Sequence, residues 1–383
     1  MGKVINPFVV TGKIAPEYFC DRVAESARLV KSITNGNNLV VISPRRMGKT
    51  GLIRFCYDKP EIEDNFYTFF IDILHTSSLR EFTYQLGKEI YETLAPRSRK
   101  MADLFIQTIK SVNWKFGFDP ATHLPAFNIE LGDIDRPDYT LEEIFKYLDH
   151  ADRPCIVAID EFQQINKYPE KNIEALLRSY IQKSENSNFI FAGSERHIMQ
   201  EMFTSSARPF YRSADILELG AIVPEIYIDF AVGHFERRNR KIAVDDAARV
   251  YNLFEGHTFY IQKTLNESFA NTPEGGVCTL ETIHEAIETI IASNDTIFRE
   301  ILSNTAEKQK ELLYAIAKDG KAKAITSAKF IKGHRLSSAS SVQSAAKILL
   351  DKDIITKSGR IWSVTDRLFG LWINKLFSRE YTL

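Results

Sequence analysis

The stretch Leu39-Val-Val-Ile-Ser-Pro-Arg-Arg-Met-Gly-Lys-Thr50 runs from a short apolar segment directly into a turn that ends in Gly-Lys-Thr. Four apolar, mostly β-branched residues have the length and composition of a buried strand. Beyond them the chain reads as a tight loop that opens a helix. Such a loop aims several backbone N–H groups at one point, where the helix N-terminus also favours an anion. The residues concerned are Ser43, Pro44, Arg45, Arg46, Met47, Gly48, Lys49, Thr50 and Gly51. Gly48 lets the backbone pass close to a phosphate, Lys49 can reach β- and γ-phosphates, and the Thr50 hydroxyl can ligate magnesium. Ser43 stands where this loop pattern usually begins with glycine, and serine enters positive φ only at a cost. The competing reading is a chance Gly-Lys-Thr in an ordinary loop.

A second stretch narrows the choice. Cys155-Ile-Val-Ala-Ile-Asp160-Glu161 is an apolar strand that ends abruptly in two carboxylates. Paired acids at the tip of a buried strand are costly to desolvate without a partner. Beside a magnesium ion they are useful: Asp160 holds the metal, commonly through water, and Glu161 polarises the attacking water. A strand that simply ends in polar surface residues is the alternative. Together the two motifs predict a nucleoside triphosphate site with Lys49, Thr50, Asp160 and Glu161 at its centre.

Working outward, the apolar runs Phe69–Ile73, Phe189–Ala192 and Ile216–Leu219 join these two as strand candidates. Helical spacing at Leu79, Phe82, Leu86 and Ile90 separates them, and Thr140 to Glu143 reads as a capping box opening another helix. Strands alternating with helices predict an α/β fold, a doubly wound parallel sheet covered on both faces. The domain boundaries expected are 1–221 for this domain, 222–300 for a helical lid and 301–383 for a winged helix. Residues 97–137 interrupt the rhythm with Trp114, Phe116, Phe118, Pro120, Pro125 and Phe127, and read as an insertion that includes a hairpin. In the last segment, helices at Lys310–Ala317 and Ser340–Leu350 precede a two-stranded ribbon turning at Lys357-Ser-Gly-Arg360.

The apolar fraction of 44% and charged fraction of 26% are those of a soluble globular protein. No run reaches the roughly 18 apolar residues of a membrane helix, and no signal-peptide pattern opens the chain, so a cytoplasmic setting without membrane is expected. Cys20, Cys56, Cys155 and Cys278 lack CxxC spacing, which argues against a zinc site or a disulfide frame. Residues 301–383 carry 15 Lys and Arg against 7 Asp and Glu, leaving 34 against 43 in the first 300 residues. A terminal segment this basic faces either a polyanion or plain solvent.

The motifs and their order resemble those of the archaeal-type AAA-like ATPases, relatives of the STAND and origin-recognition ATPases, over nearly the whole chain. Bacterial members, notably from Bacteroidetes-like genomes, are similar in writing the loop as SPRR-x-GKT. Looser points of likeness are Asn6-Pro-Phe8, Tyr18 to Arg22, Arg208-Pro-Phe-Tyr211, and Asp366-x-Leu-Phe with Trp372. The resemblance implies ATP and magnesium as ligands and further site residues. Phe8 is implied as a base-packing residue and Arg22 as an anchor of the nucleotide-covering segment. Ser194 falls at the position of sensor 1, and Arg208 and Arg212 at that of an arginine finger or sensor, within the chain or across a homo-oligomer. His257, in Gly256-His-Thr-Phe-Tyr260, matches the lid segment. Core packing for Phe8, salt bridges for the arginines and a helix-boundary role for His257 stay open beside these roles. The winged helix is expected to contact duplex DNA or, alternatively, a protein partner.

Overall fold

A computed structural model describes residues 6–12, 14–112, 115–118, 125–128 and 131–377. They form two compact units, one spanning Thr11–Ile222 and the other combining residues 6–10 with residues 223–377. In chain order the strands of the first unit are β1 (Leu39–Ile42), β2 (Tyr67–Asp72), β3 (Lys115–Phe118), β4 (Pro125–Asn128), β5 (Cys155–Asp160), β6 (Ser187–Gly193) and β7 (Asp215–Glu218). Five of them make one sheet in the order β2-β5-β6-β1-β7, every neighbouring pair parallel. β3 and β4 form a separate antiparallel hairpin within the insertion expected there; Trp114 and Pro120 lie outside the described residues.

Burial on both faces explains why β1, β5 and β6 read as continuous apolar runs. Val40, Ile42, Val157 and Ile159 enter one core together with Phe82, Leu86 and Ile90 of the helix Leu79–Leu94. The alternate residues Leu39, Val41, Ile156 and Ala158 enter another, against Leu29, Ile33, Leu52 and Ile53. In register, Ile42 lies opposite Gly193 and Asp72 opposite Asp160. The C-terminal ends of β1, β5 and β6 therefore open on one rim of the sheet.

One helix start departs from expectation. The helix runs Pro137–Asp149, with proline at N1, where its missing N–H costs nothing. Thr140 and Glu143 thus lie inside it and do not cap it. The Glu143 carboxylate accepts instead from the backbone N–H groups of Lys110 and Ser111 and from the Ser111 hydroxyl. It braces the chain inside the insertion, just after the helix Arg99–Thr108.

The second unit carries the helices Pro224–Glu236, Val244–Leu253, Thr258–Asn271 and Leu280–Ser293, with a short parallel pair, β8 (Lys241–Ile242) and β9 (Val277–Cys278). Next come the helix Glu307–Asp319, β10 (Ala322–Lys323), the helices Ala328–Gly333 and Ala339–Asp351, then β11 (Ile355–Ser358) and β12 (Ile361–Val364). β10 joins the ribbon to make a three-stranded sheet in the order β10-β12-β11. The Ser338 hydroxyl accepts from Ser341 N–H and caps the second helix of the pair. That helix buries Val342, Ala345, Ala346 and Leu349. This is the winged-helix outline, with a first strand and a short helix that the sequence pattern does not resolve.

Among the described residues, no helix is long and apolar enough to cross a membrane.

Candidate active site

Three chain segments meet at the rim formed by β1, β5 and β6. The first is the loop after β1, which turns into the helix Lys49–Tyr57. Arg46 and Gly48 take left-handed conformations, at φ 66° and φ 92°. No side chain caps this helix; its N-cap is Gly48. The first-turn N–H groups thus have no capping oxygen, which suits an anion. Ser43 has no positive φ, so glycine is not needed at that place. Its N–H donates to the Gly193 carbonyl at 3.3 Å, which ties the loop to the end of β6.

The second segment is the tip of β5. The Thr50 hydroxyl donates to Asp160 Oδ2 at 2.6 Å, and Lys49 Nζ lies 3.7 Å from Glu161 Oε1. Glu161 stands in the left-handed region at φ 56°, a conformation that costs a non-glycine residue about 1–3 kcal/mol. That turn ends the strand and swings the carboxylate toward Lys49. Ser194, just past β6 and so between β5 and β1, donates to Glu161 Oε2 at 2.6 Å, and Gln163 Nε2 donates to the same oxygen.

Electrostatics divides the two carboxyls. Burial pushes Asp160 up, more than Lys49 and the Thr50 hydroxyl pull it down. Burial acts on Glu161 as well, but Lys49, the Ser194 and Gln163 hydrogen bonds and the Arg45 charge together outweigh it and hold the carboxyl below its ordinary range. The surroundings of Glu161 thus favour its ionised form, the form a general base requires.

A hydroxyl and a carboxylate 2.6 Å apart beside an anion loop fit magnesium, which takes one or two protein oxygens and completes its octahedron with phosphate and water. Among the described residues there is no cluster of three or more His, Cys, Asp or Glu able to hold a metal by itself. The four cysteines are free thiols, and burial pushes Cys20 and Cys155 up to about 12.

The third segment supports the loop from outside. Arg22 is buried, and its Nη2 donates to the Gly220 carbonyl at 2.8 Å and to the Met47 carbonyl at 3.4 Å, while Nη1 pairs with Glu25. Its guanidinium grips the backbone of the phosphate loop. Nearby, Phe19 stacks on Phe55 at 4.1 Å, and a Cβ at Gly51 would meet Ile14 and Phe19 at 3.8 Å. Arg22→Ala leaves the buried Met47 carbonyl without its donor, worth about 1–3 kcal/mol, and takes a second donor from the exposed Gly220. We expect a lower urea midpoint together with weaker ATP binding; an unchanged midpoint would show that these bonds contribute nothing.

Other expected residues lie elsewhere. Phe8 is fully buried in the helical unit, its ring within 6.3 Å of those of Phe230, His234, Phe235 and Phe269. Asn6 and Asn266 cross-bond this segment to the helix Thr258–Asn271. The ring thus serves as core and presents no face to a base. His257 is the N-cap residue of that helix, with its ring 6.3 Å from Tyr260. Arg208 pairs with Glu174 and Glu201 and donates to Asn166. Arg212 is exposed, with φ 50° and its guanidinium over Tyr211. It shares a shallow cavity with Asn37, Asn38 and Asp215, at the opposite rim of the sheet from the phosphate loop. The length of β1, about 13 Å, separates the two rims.

A phosphate loop facing a strand tip with a hydroxyl, an aspartate and an ionised glutamate, on this sheet order, defines a P-loop nucleoside triphosphatase. The comparisons narrow this further. The chain belongs to the family described as "ATPase domain predominantly from Archaea", matched over residues 19–264, and a "Probable winged helix domain" matches residues 296–375. It is an ATPase and binds nucleotide.

Among solved structures, it is similar to the Walker-type ATPase PABY2304 of Pyrococcus abyssi at 18% identity, covering 96% of this chain and 99% of that one, with a TM-score of 0.62. The ORC2 protein of Aeropyrum pernix, in ADPNP–ADP complexes, is 12% identical over 97% and 98% of the two chains, with a TM-score of 0.58. The ORC1 protein of the same organism, in complex with DNA, is 14% identical over 97% and 96%, with a TM-score of 0.52. At these identities the likeness is one of fold. No match was found among curated proteins.

Proposed function

We propose that the chain is a magnesium-dependent nucleotide switch, cytoplasmic in setting, whose winged helix contacts the phosphates of duplex DNA. ATP is drawn to the loop by the N–H groups of residues 45–51 and by Lys49, which leaves Glu161 as it engages the phosphates. Thr50 and Asp160 would hold magnesium, which would supply positive charge against the phosphates. Glu161 accepts a proton from the attacking water while Ser194 steadies the carboxylate. The segment Ile14 to Arg22 covers the base, in place of Phe8. His257 closes with the helical segment 222–300, the lid, and turnover resets lid and winged helix between states. Arg208 is structural. Arg212, at the far rim, serves the phosphates of a neighbouring copy in a homo-oligomer.

The DNA reading rests on one observation: Lys329, Lys332, Arg335, Lys347, Lys357 and Arg360 are all exposed on the helix pair and wing. In a winged helix the second helix of the pair enters the major groove. Here it exposes Gln343, Ser344 and Lys347, without the arginine that reads guanine bidentately. Phosphate contacts should therefore dominate and sequence preference be weak. The A. pernix ORC1 protein, of similar fold, was solved with DNA.

The exposed Ile348 on the same helix favours the second reading, a protein partner docked on the winged helix. Fluorescence anisotropy of the full chain on duplex DNA separates the two. With about three phosphates engaged, affinity should fall roughly 40-fold between about 50 and 200 mM salt. Absence of binding at low salt removes the DNA reading and leaves the protein partner.

A further inference from the structure

Gln163 is not among the residues the motifs bring forward, yet it is almost wholly buried beside the reacting groups. It comes two positions after Glu161, in the turn Phe162–Lys167 that the left-handed Glu161 begins. Its Nε2 donates to Glu161 Oε2, the oxygen that also accepts from the Ser194 hydroxyl. Its Oε1 is buried with no hydrogen-bond partner. A buried acceptor left in that state costs desolvation energy without return, so something must hold the amide in this orientation. Turned over, it would set its oxygen against a carboxylate oxygen. The amide is also wedged from behind: a Cβ at Gly193 would lie 2.5 Å from Gln163 Oε1 and 2.5 Å from Met199 Cγ and Sδ. Gly193 leaves the space in which the amide fits.

We propose that Gln163 is a positioning residue for hydrolysis, its amide fixing the Glu161 carboxylate in the orientation that the attacking water requires. The two oxygens of Glu161 then divide the work. Oε2 is anchored by two donors from two different elements. Oε1 faces Lys49 at 3.7 Å and becomes the proton acceptor once phosphate claims the ammonium. As the water oxygen bonds the γ-phosphorus and the bond to the ADP oxygen breaks, Oε1 takes the water proton. The inference rests on Glu161 being the base and adds the group that aims it.

The test compares Gln163→Leu, Gln163→Glu and Gly193→Ala with wild type, and Glu161→Gln with the double variant Glu161→Gln/Gln163→Leu. Displacing a reacting group by about 1 Å costs up to about 10²-fold, so kcat in the three single variants should fall at least about 10-fold. KM and the affinity for a non-hydrolysable ATP analogue should stay within about twofold, since Gln163 acts on turnover through Glu161. The double variant should turn over no more slowly than Glu161→Gln alone, because a positioning group has nothing left to position. Thermal melting identifies any variant that fails to fold; if Gln163→Leu does, the isosteric Gln163→Glu, which sets two carboxylates together, and Gly193→Ala carry the test. Wild-type kcat in folded single variants, losses shared with analogue affinity, or a further loss in the double variant would each overturn the inference. Full turnover in Glu161→Gln would instead remove the base assignment, a separate outcome.

Discussion

Lys49→Ala is expected to lose ATP binding by about 30-fold to several thousand-fold, the range for removing one partner of a buried charged contact at about 2–5 kcal/mol. The loop offers N–H dipoles from the first turn of the helix, but Lys49 is its buried cation, only slightly exposed and 3.7 Å from Glu161 Oε1. Two effects add in the variant. The phosphates lose their ammonium, and Glu161 loses the largest of the influences holding it ionised, so burial pushes its carboxyl up. The catalytic centre is damaged along with the binding site, and residual turnover at saturating ATP should fall as well. Calorimetric titration with ATP measures the affinity directly, with the melting temperature as a control for folding. Undiminished affinity would mean that the phosphates bind elsewhere, and the loop assignment would go with it.

The legible parts of this molecule are those written in short, local signals. β1 coincides with the run Leu39–Ile42, and the other four strands of the sheet fall within two residues of the apolar runs; in β1, β5 and β6 burial on both faces leaves almost no polar alternation to mislead. The winged helix is visible for a similar reason: Val342, Ala346 and Leu349 recur at helical spacing and are buried in the structure. Capping misleads where two local signals compete. Thr140 and Glu143 have the right spacing for a box, but Pro137 has already begun the helix, and Glu143 commits its carboxylate to a long-range contact with residues 110–111. Strand β10, two residues long, exists only because β12 pairs with it, which no local pattern records.

The site shows the same division. Lys49, Thr50, Asp160 and Glu161 are readable from motif chemistry, and the structure brings them together. Gln163 is not, since a glutamine after a strand tip is ordinary until the neighbouring strand supplies Gly193 and Ser194 beside it. The one available hint is its place, two residues after a carboxylate pair. Phe8 fails in the opposite direction. An aromatic near the N-terminus suits base packing or a core equally, and its four ring neighbours come from residues 230–269, too distant in sequence to foresee. Arg208 and Arg212 look equivalent as letters. Glu174 and Glu201 occupy the first, while the register of β7 against β1 places the second at the rim remote from its own phosphate loop.

Glu161→Gln should separate binding from chemistry more cleanly than any other change. The amide matches the carboxylate in size and keeps an oxygen for the Ser194 hydroxyl, which lies 2.6 Å from the carboxylate in the wild type, but it cannot take a proton from water. Turnover should fall by about 10²- to 10⁴-fold, the scale of a lost general base. Affinity for ATP should hold or rise. In the wild type, Lys49 divides its attention between Glu161 and the incoming phosphates; with a neutral side chain at position 161 nothing competes for the ammonium. The opposed directions are what make the experiment decisive, since a merely unfolded or loosened site would lose both. Rapid-quench measurement of a single turnover, with filter binding of the trapped nucleotide, reads the two quantities on one sample. Turnover near wild type would move the base to another group, and Asp160 is then the nearest carboxyl on the same strand tip. That alternative has a physical obstacle already visible: Asp160 Oδ2 is occupied by the Thr50 hydroxyl at 2.6 Å.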